Sequence, residues 1–258
     1  MISAAVILSA LTATAALATE GADYAPIYLD KTAITLDAGY MMDIDNLSVD
    51  HLTGGSISMS YIFNRTDKSA HSIGLTFGYF EGDDDAAMHK ETDGGTTDYT
   101  ERLYTRDITE TLSQEILPVI ISYKYQRNIT DSISCYAGAR AGVYISKTEV
   151  SRRDVWSHYQ KKYDGTHTSI AKADDDCTNS CTRVAPTLGI ELGVQYQFAK
   201  NWSWHLSGSI DASFNMIRQK SLSETSFEAA NKLITTNPET CKGTAVSATI
   251  RTGFSYQF

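Results

Sequence analysis

The chain has 258 residues, and its 22 Lys and Arg against 31 Asp and Glu leave a net charge of −9. With 42% hydrophobic residues, 21% charged residues and 4 Pro, it is neither disordered nor collagen-like. The acidic balance lacks the clustered cations that phosphate contacts need, so nucleic acid is excluded as a partner. The 15 Tyr, 8 Phe and 3 Trp beside 17 Gly point to strands with aromatic ends more than to helices.

Residues 1–18 carry no charged side chain. They include the apolar run Ala4, Ala5, Val6, Ile7 and Leu8, and close on Ala16, Leu17 and Ala18. This pattern predicts a signal peptide with a small-x-small cleavage site, the mature chain starting at Thr19. A basic n-region is missing from it. Beyond it, no apolar run approaches the roughly 20 residues that a spanning helix needs, so a membrane-embedded mature chain has to be a barrel.

Strand patterns then follow one another. Strand-like segments are expected near 33–42, 55–64, 72–80, 116–126, 133–146, 187–198, 202–214 and 246–258. The sixth is the clearest: Leu188, Ile190, Leu192, Val194, Tyr196 and Phe198 alternate with Gly189, Glu191, Gly193, Gln195 and Gln197, a period of two. In the last, only Thr252 softens the apolar face. The connections alternate in length. Asn64–His71, Arg127–Ser132 and Ala199–Asn201 are short, whereas Asp43–Gly54, Glu81–Glu115, Lys147–Arg183 and Asn215–Lys242 are long. Membrane barrels show this asymmetry, with tight turns at one rim and long loops outside.

Each even-numbered strand ends on the same aromatic step: Tyr61 to Phe63, Tyr123 to Tyr125, Tyr196 to Phe198, and Tyr256 to Phe258. Trp202 and Trp204 open the seventh strand at that rim, which predicts an interfacial girdle. The opposite rim has Tyr40, Tyr79 and Phe214.

The final residues, Arg251 to Phe258, resemble the C-terminal β-signal of outer-membrane barrels. The architecture over 33–258 is similar to small eight-stranded barrels of the OmpA, OmpX and opacity type. The resemblance implies an all-β, antiparallel, up-and-down transmembrane barrel in the bacterial outer membrane, occupying 19–258 and surrounded by outer-membrane lipid. It also implies that Gly253, Tyr256 and Phe258 are read by the barrel-assembly machinery. A soluble β-sandwich is the rival, but its polar faces would be rich in Lys and Glu, whereas here they are mostly Ser, Thr and Gly.

Eight strands leave an interior about wide enough for side chains to fill. The expected inward-facing charges are Asp37, Lys124, Arg140, Glu191, Asp211 and Arg251, three of each sign. Counted from the shared rim, Arg140 lies level with Glu191 and Asp211 with Arg251, and Asp37 sits across the closing seam. One buried ion network is expected, because charges between low-dielectric walls have to pair. The alternative is a narrow, porin-like path for ions or small solutes.

Catalytic patterns are weak. His205 and Ser207 resemble the His-x-Ser pair of lipid A deacylases, but no Glu or Asp lies between Ala212 and Ser223 to complete a triad. His205 is therefore expected to bond neighbouring Ser, and no enzyme is expected. The acidic triplets Asp83–Asp85 and Asp174–Asp176 lack the spacing of a calcium loop and read as solvated loop charge. No metal or cofactor is called for. In an exported chain a disulfide is the default: Cys177 with Cys181 is the first candidate, Cys181 with Cys241 the second, and Cys135 is expected to stay free.

The loops are left to carry any specific activity. Residues 81–115 are strongly acidic, and 147–183 set Arg152, Arg153, Lys161 and Lys162 beside Trp156, Tyr159 and Tyr163. That mixture fits a surface ligand such as a glycan, an anionic lipid headgroup or a host surface. The expected role is a non-enzymatic barrel serving envelope integrity or adhesion. A lipid-modifying barrel enzyme is the weakest reading.

Overall fold

Strong period-two alternation over most of the chain leaves the backbone one way to satisfy its polar groups, and the strands pair with their sequence neighbours. In the computed structural model, which describes residues 32–63, 66, 68–97, 100–162, 166–219 and 240–258, eight antiparallel strands close into a barrel. They are β1 (Thr32–Asp45), β2 (His51–Phe63), β3 (Ser69–Thr97), β4 (Thr100–Asn128), β5 (Ile133–Lys162), β6 (His167–Gln197), β7 (Trp202–Gln219) and β8 (Thr240–Gln257). Closure is made by β1 on β8, from Ala33 opposite Gln257 to Asp45 opposite Val246. Residues 1–18, the expected signal peptide, lie outside the described residues, as does the connection between β7 and β8, 220–239.

The barrel is apolar outside and polar inside. On β6, Ile190 is 59% exposed and Leu192 61%, while Glu191 between them is 3% exposed; on β7, Asp211 is 0% exposed. A water-soluble protein reverses this arrangement. At the short-turn rim the predicted girdle is in place. Trp202 meets Tyr256 edge-on with ring centroids 4.9 Å apart, and Tyr256 meets Phe258 at 4.8 Å. Thr252, a polar side chain on the outer face of β8, accepts a 2.9 Å hydrogen bond from Trp204 Nε1 and donates to the His205 carbonyl at 3.1 Å. Its hydroxyl is therefore satisfied without water.

Two expectations about the connections are corrected. The stretches 81–115 and 147–183 are not loops: β3, β4, β5 and β6 run for 29, 29, 30 and 31 residues, against the roughly 9–11 that a tilted strand needs to cross a bilayer. Pairing continues from Glu81 opposite Glu115 to Thr97 opposite Thr100, and from Lys147 opposite Thr182 to Lys161 opposite His167. β4 and β5 stay paired along the whole length, from Asn128 opposite Ser134 to Thr100 opposite Lys162. The two hairpins thus form one four-stranded sheet beyond the apolar belt. The reading as loops fails because Ser, Thr and charged residues alternate there without an apolar face, so the periodicity that marks a half-buried strand is absent.

Nor is the first connection a long loop. Only 46–50 separate β1 from β2, and they fold into the barrel mouth. Leu47 and Val49 are buried. The Ser48 amide donates to Gln114 Oε1 at 3.0 Å, and the Leu47 amide to Asp43 Oδ1 at 3.0 Å. Asn46 takes φ 67°, a left-handed conformation that Asn tolerates better than most residues.

Candidate functional site in the barrel interior

The interior is stacked in layers. Nearest the short turns is an open vestibule of about 210 Å³ lined mainly by hydroxyl and amide side chains, among them Ser58, Ser72, Gln126, Ser203 and Gln257. Above it lie the charges, and above those an apolar plug of Met41, Leu52, Phe80, Leu112, Ile116, Ile120 and Tyr144, capped by Leu47 and Val49. This plug has no counterpart in the sequence expectation. Ile120 and Tyr144 occupy the inward parity of stretches whose outward parity is also apolar, so period two alone hides them.

The charges contact one another as follows. Glu191 accepts from Lys124 Nζ at 2.9 Å and lies 3.1 Å from Arg251 and 3.8 Å from Arg140. Arg140 reaches Asp211 at 3.0 Å and also bonds Ser209. Asp211 accepts from Tyr144 at 2.8 Å. Asp37 accepts from Ser56 Oγ at 3.1 Å and pairs with His205. Two expected details are corrected. Asp211 and Arg251 are not level, because Arg251 sits opposite Ser207 and Asp211 opposite Ser247, so Arg251 turns to Glu191. His205 bonds the Asp37 carboxylate rather than a neighbouring Ser.

A spacing rule underlies these contacts. Lys124 on β4 and Glu191 on β6 both lie opposite Gly138 on β5. Arg140 on β5 and Asp211 on β7 flank Gly189 on β6. His205 on β7 and Asp37 on β1 flank Gly253 on β8. Each pair reaches across a strand that presents no side chain. A Cβ on Gly189 would stand 2.0 Å from Asp211 Oδ1, and one on Gly253 2.7 Å from Asp37 Oδ1. The signal is present in the sequence as a charged residue two positions from a glycine: Gly138 with Arg140, Gly189 with Glu191, Arg251 with Gly253.

Of the C-terminal triad, Gly253 thus faces the interior, while Tyr256 and Phe258 belong to the aromatic girdle. The disulfide expectation is corrected. Cys177 and Cys181 are free thiols on one continuous strand. Residues four apart in a strand are separated by about 13 Å, whereas a disulfide holds Cα atoms within about 7 Å. The side chain of Cys241 lies outside the described residues, and Cys135 is free. The acidic triplets lie on strands, where neighbours face opposite ways and cannot converge on a cation. Asp84 accepts from the Asp50 amide at 2.8 Å, Asp85 from Thr111 Oγ1 at 2.8 Å, and Asp174 pairs with Arg153 at 2.5 Å. Among the described residues, no cluster of three or more His, Cys, Asp or Glu is placed to hold a metal.

The inward face of the projecting sheet carries ion pairs of its own, unseen at sequence level because their partners lie some forty residues apart. Arg106 grips Asp154 through two nitrogens, at 2.9 and 2.6 Å. Arg152 pairs with Glu110 directly across the β4–β5 ladder. Trp156 is 44% exposed, donates its indole N–H to Asp154 at 3.0 Å and has the Arg106 guanidinium 4.1 Å from its ring centre.

Closed pairing, a lipid-compatible exterior and an aromatic girdle define the class: a small transmembrane β-barrel of the bacterial outer-membrane type. By sequence the chain matches no protein-family model and no curated protein. By fold it is similar to Neisserial surface protein A at 10% identity over 88% of this chain and 97% of that one, with a TM-score of 0.42. It is similar to Ail, the attachment invasion locus protein of Yersinia pestis, at 10% identity over the same shares and a TM-score of 0.37. It is also similar to the outer membrane protease OmpT from Escherichia coli, at 7% identity over 92% and 100% and a TM-score of 0.32. These likenesses concern architecture and transfer no activity.

Proposed function

We propose that this is a non-enzymatic outer-membrane barrel whose task is to hold a rigid four-stranded sheet outside the bilayer, serving surface adhesion or, less directly, envelope integrity. The observation that supports this most is the continued pairing of β3 to β6 from barrel wall to hairpin tips, with register shifts only at Asp93/Thr96 and His158/Tyr159, since long paired strands cost ordering entropy that a mere connection between wall strands does not require. The apolar plug favours this reading over a narrow channel. Water in the vestibule meets a layer of Phe80, Ile116, Ile120 and Tyr144, all buried. Against a lipid-modifying activity stands the burial of His205, Ser207 and Asp37 inside the wall, away from lipid. The test is replacement of 84–112 and 150–180 by short turns in cells. Loss of surface attachment with a normally assembled barrel is expected; unchanged attachment and unchanged permeability to large antibiotics overturn the proposal.

A further inference from the structure

Near the outer end of the projecting sheet, two consecutive same-face pairs of β4 and β5 bring four flat groups together. Arg106 lies opposite Trp156, and Tyr104 opposite His158. The Tyr104 and His158 rings stack with centroids 4.3 Å apart and planes 17° from parallel. Trp156 is immobilised twice over, by its N–H bond to Asp154 and by the Arg106 guanidinium against one face. With that face covered, its 44% exposure comes from the ring edge and the opposite face. Nothing in the barrel's own packing requires an exposed indole to be fixed this firmly, and rigid aromatic groups are what a binding surface gains from preorganisation.

Size and charge select the ligand. A protein partner ordinarily covers about 800 Å² per side, far more than one indole supplies, whereas a single sugar ring matches it. The cation beside the ring is committed: Arg106 holds Asp154 through two nitrogens, so the guanidinium against the indole is not free to pair with an anionic ligand. On the reverse face of the same sheet Asp174 and Asp176 are engaged by Arg153, while Asp83, Asp85 and Asp107 repel anions at short range.

We infer that Trp156, with the Tyr104 and His158 stack beside it, is a stacking platform for an uncharged hexopyranose chain. This rests on the adhesive reading above and names its ligand class. The purified full chain in detergent, checked for folding by its heat-dependent gel shift, is titrated with maltohexaose, chitohexaose, mannohexaose and the polysaccharide released by mild acid from the producing cell's own surface. Tryptophan fluorescence is the readout. A saturable change with at least one sugar is expected, kept in Trp202→Phe, weakened on the order of tenfold in Trp156→Ala as for an aromatic hot spot, and partly restored in Trp156→Phe. Which sugar responds separates the cell's own polysaccharide from a foreign one. No saturable response to any of the four, or an equal response in Trp156→Ala, overturns the inference. If Trp156→Ala cells still attach while hairpin-shortened cells do not, the adhesive reading stands and the platform falls.

Discussion

Asp37 on β1 and His205 on β7 meet across Gly253 of β8, so a carboxylate–imidazole contact bridges the seam where the barrel closes. β8 is thereby clasped from both sides by groups that do not belong to it. Removing one partner of a buried pair leaves an uncompensated polar group and costs about 3–5 kcal/mol. Asp37→Asn and His205→Ala are each expected to lower the temperature of the folded-to-unfolded gel shift by a similar amount. The double variant should cost clearly less than the sum. Additive losses would show that the two side chains do not act as a pair.

The glycines of the ion rows should be sensitive by position. A Cβ on Gly189 would meet Asp211 Oδ1 at 2.0 Å and the Ile210 carbonyl at 2.6 Å, while one on Gly208 meets nothing within 4 Å. Overpacking of this kind typically costs about 1–3 kcal/mol. Gly189→Ala is expected to fall in or above that range in urea unfolding, with Gly208→Ala close to wild type. Equal stabilities would refute the spacing rule.

On the outer face of the hairpin, His89 Nδ1 lies 2.5 Å from Asp107 and Nε2 3.4 Å from Glu91. The hydrogen bond to Asp107 first, then that to Glu91, raises its pKa above the usual histidine value. The sign follows from the raised value: any stabilisation of the hairpin is full below the ordinary histidine pKa and is lost as pH rises through the raised one. NMR titration of the imidazole should place its midpoint above that of an unperturbed histidine, and Asp107→Asn should bring it down. A midpoint unmoved by Asp107→Asn would show that the contact does not govern the ring.

Much of this architecture was legible in the sequence, and the remainder was hidden for identifiable reasons. Strands such as 187–198 declare themselves because lipid on one side and a narrow interior on the other force strict alternation. The outer halves of β3 to β6 do not, since neither face meets lipid: Thr109, Thr111 and Ser113 read as loop. The six interior charges can be found by parity, but their partners cannot. Partner choice depends on stagger between strands, and a stagger of a few residues sends Arg251 to Glu191 instead of Asp211.

Cysteine chemistry offers a direct check on strand continuity. Because β6 runs unbroken through Cys177 and Cys181, the two sulfurs cannot bridge without breaking the pairing of Arg152 with Cys177 and of Thr148 with Cys181. Alkylation of the native protein without reductant, followed by mass spectrometry, is expected to label both thiols. A peptide carrying a Cys177–Cys181 bridge would mean that this stretch of β6 is a loop after all.

Conductance tests the layered interior. An ion entering the vestibule has Lys124, Glu191 and Arg251 to replace its hydration, yet the next layer offers Phe80, Ile116 and Ile120. Moving a charge into such surroundings costs several kcal/mol even after relaxation, and the plug is built from the wall itself, not only from the tucked turn at 46–50. Planar-bilayer recording of the wild type should therefore show no steady current. Arg140→Ala, which loosens the ionic layer but leaves the plug, should stay equally silent. A steady current that changes in Arg140→Ala would mean that ions cross the apolar layer, and the reading of this barrel as a closed pedestal would have to give way to that of a channel.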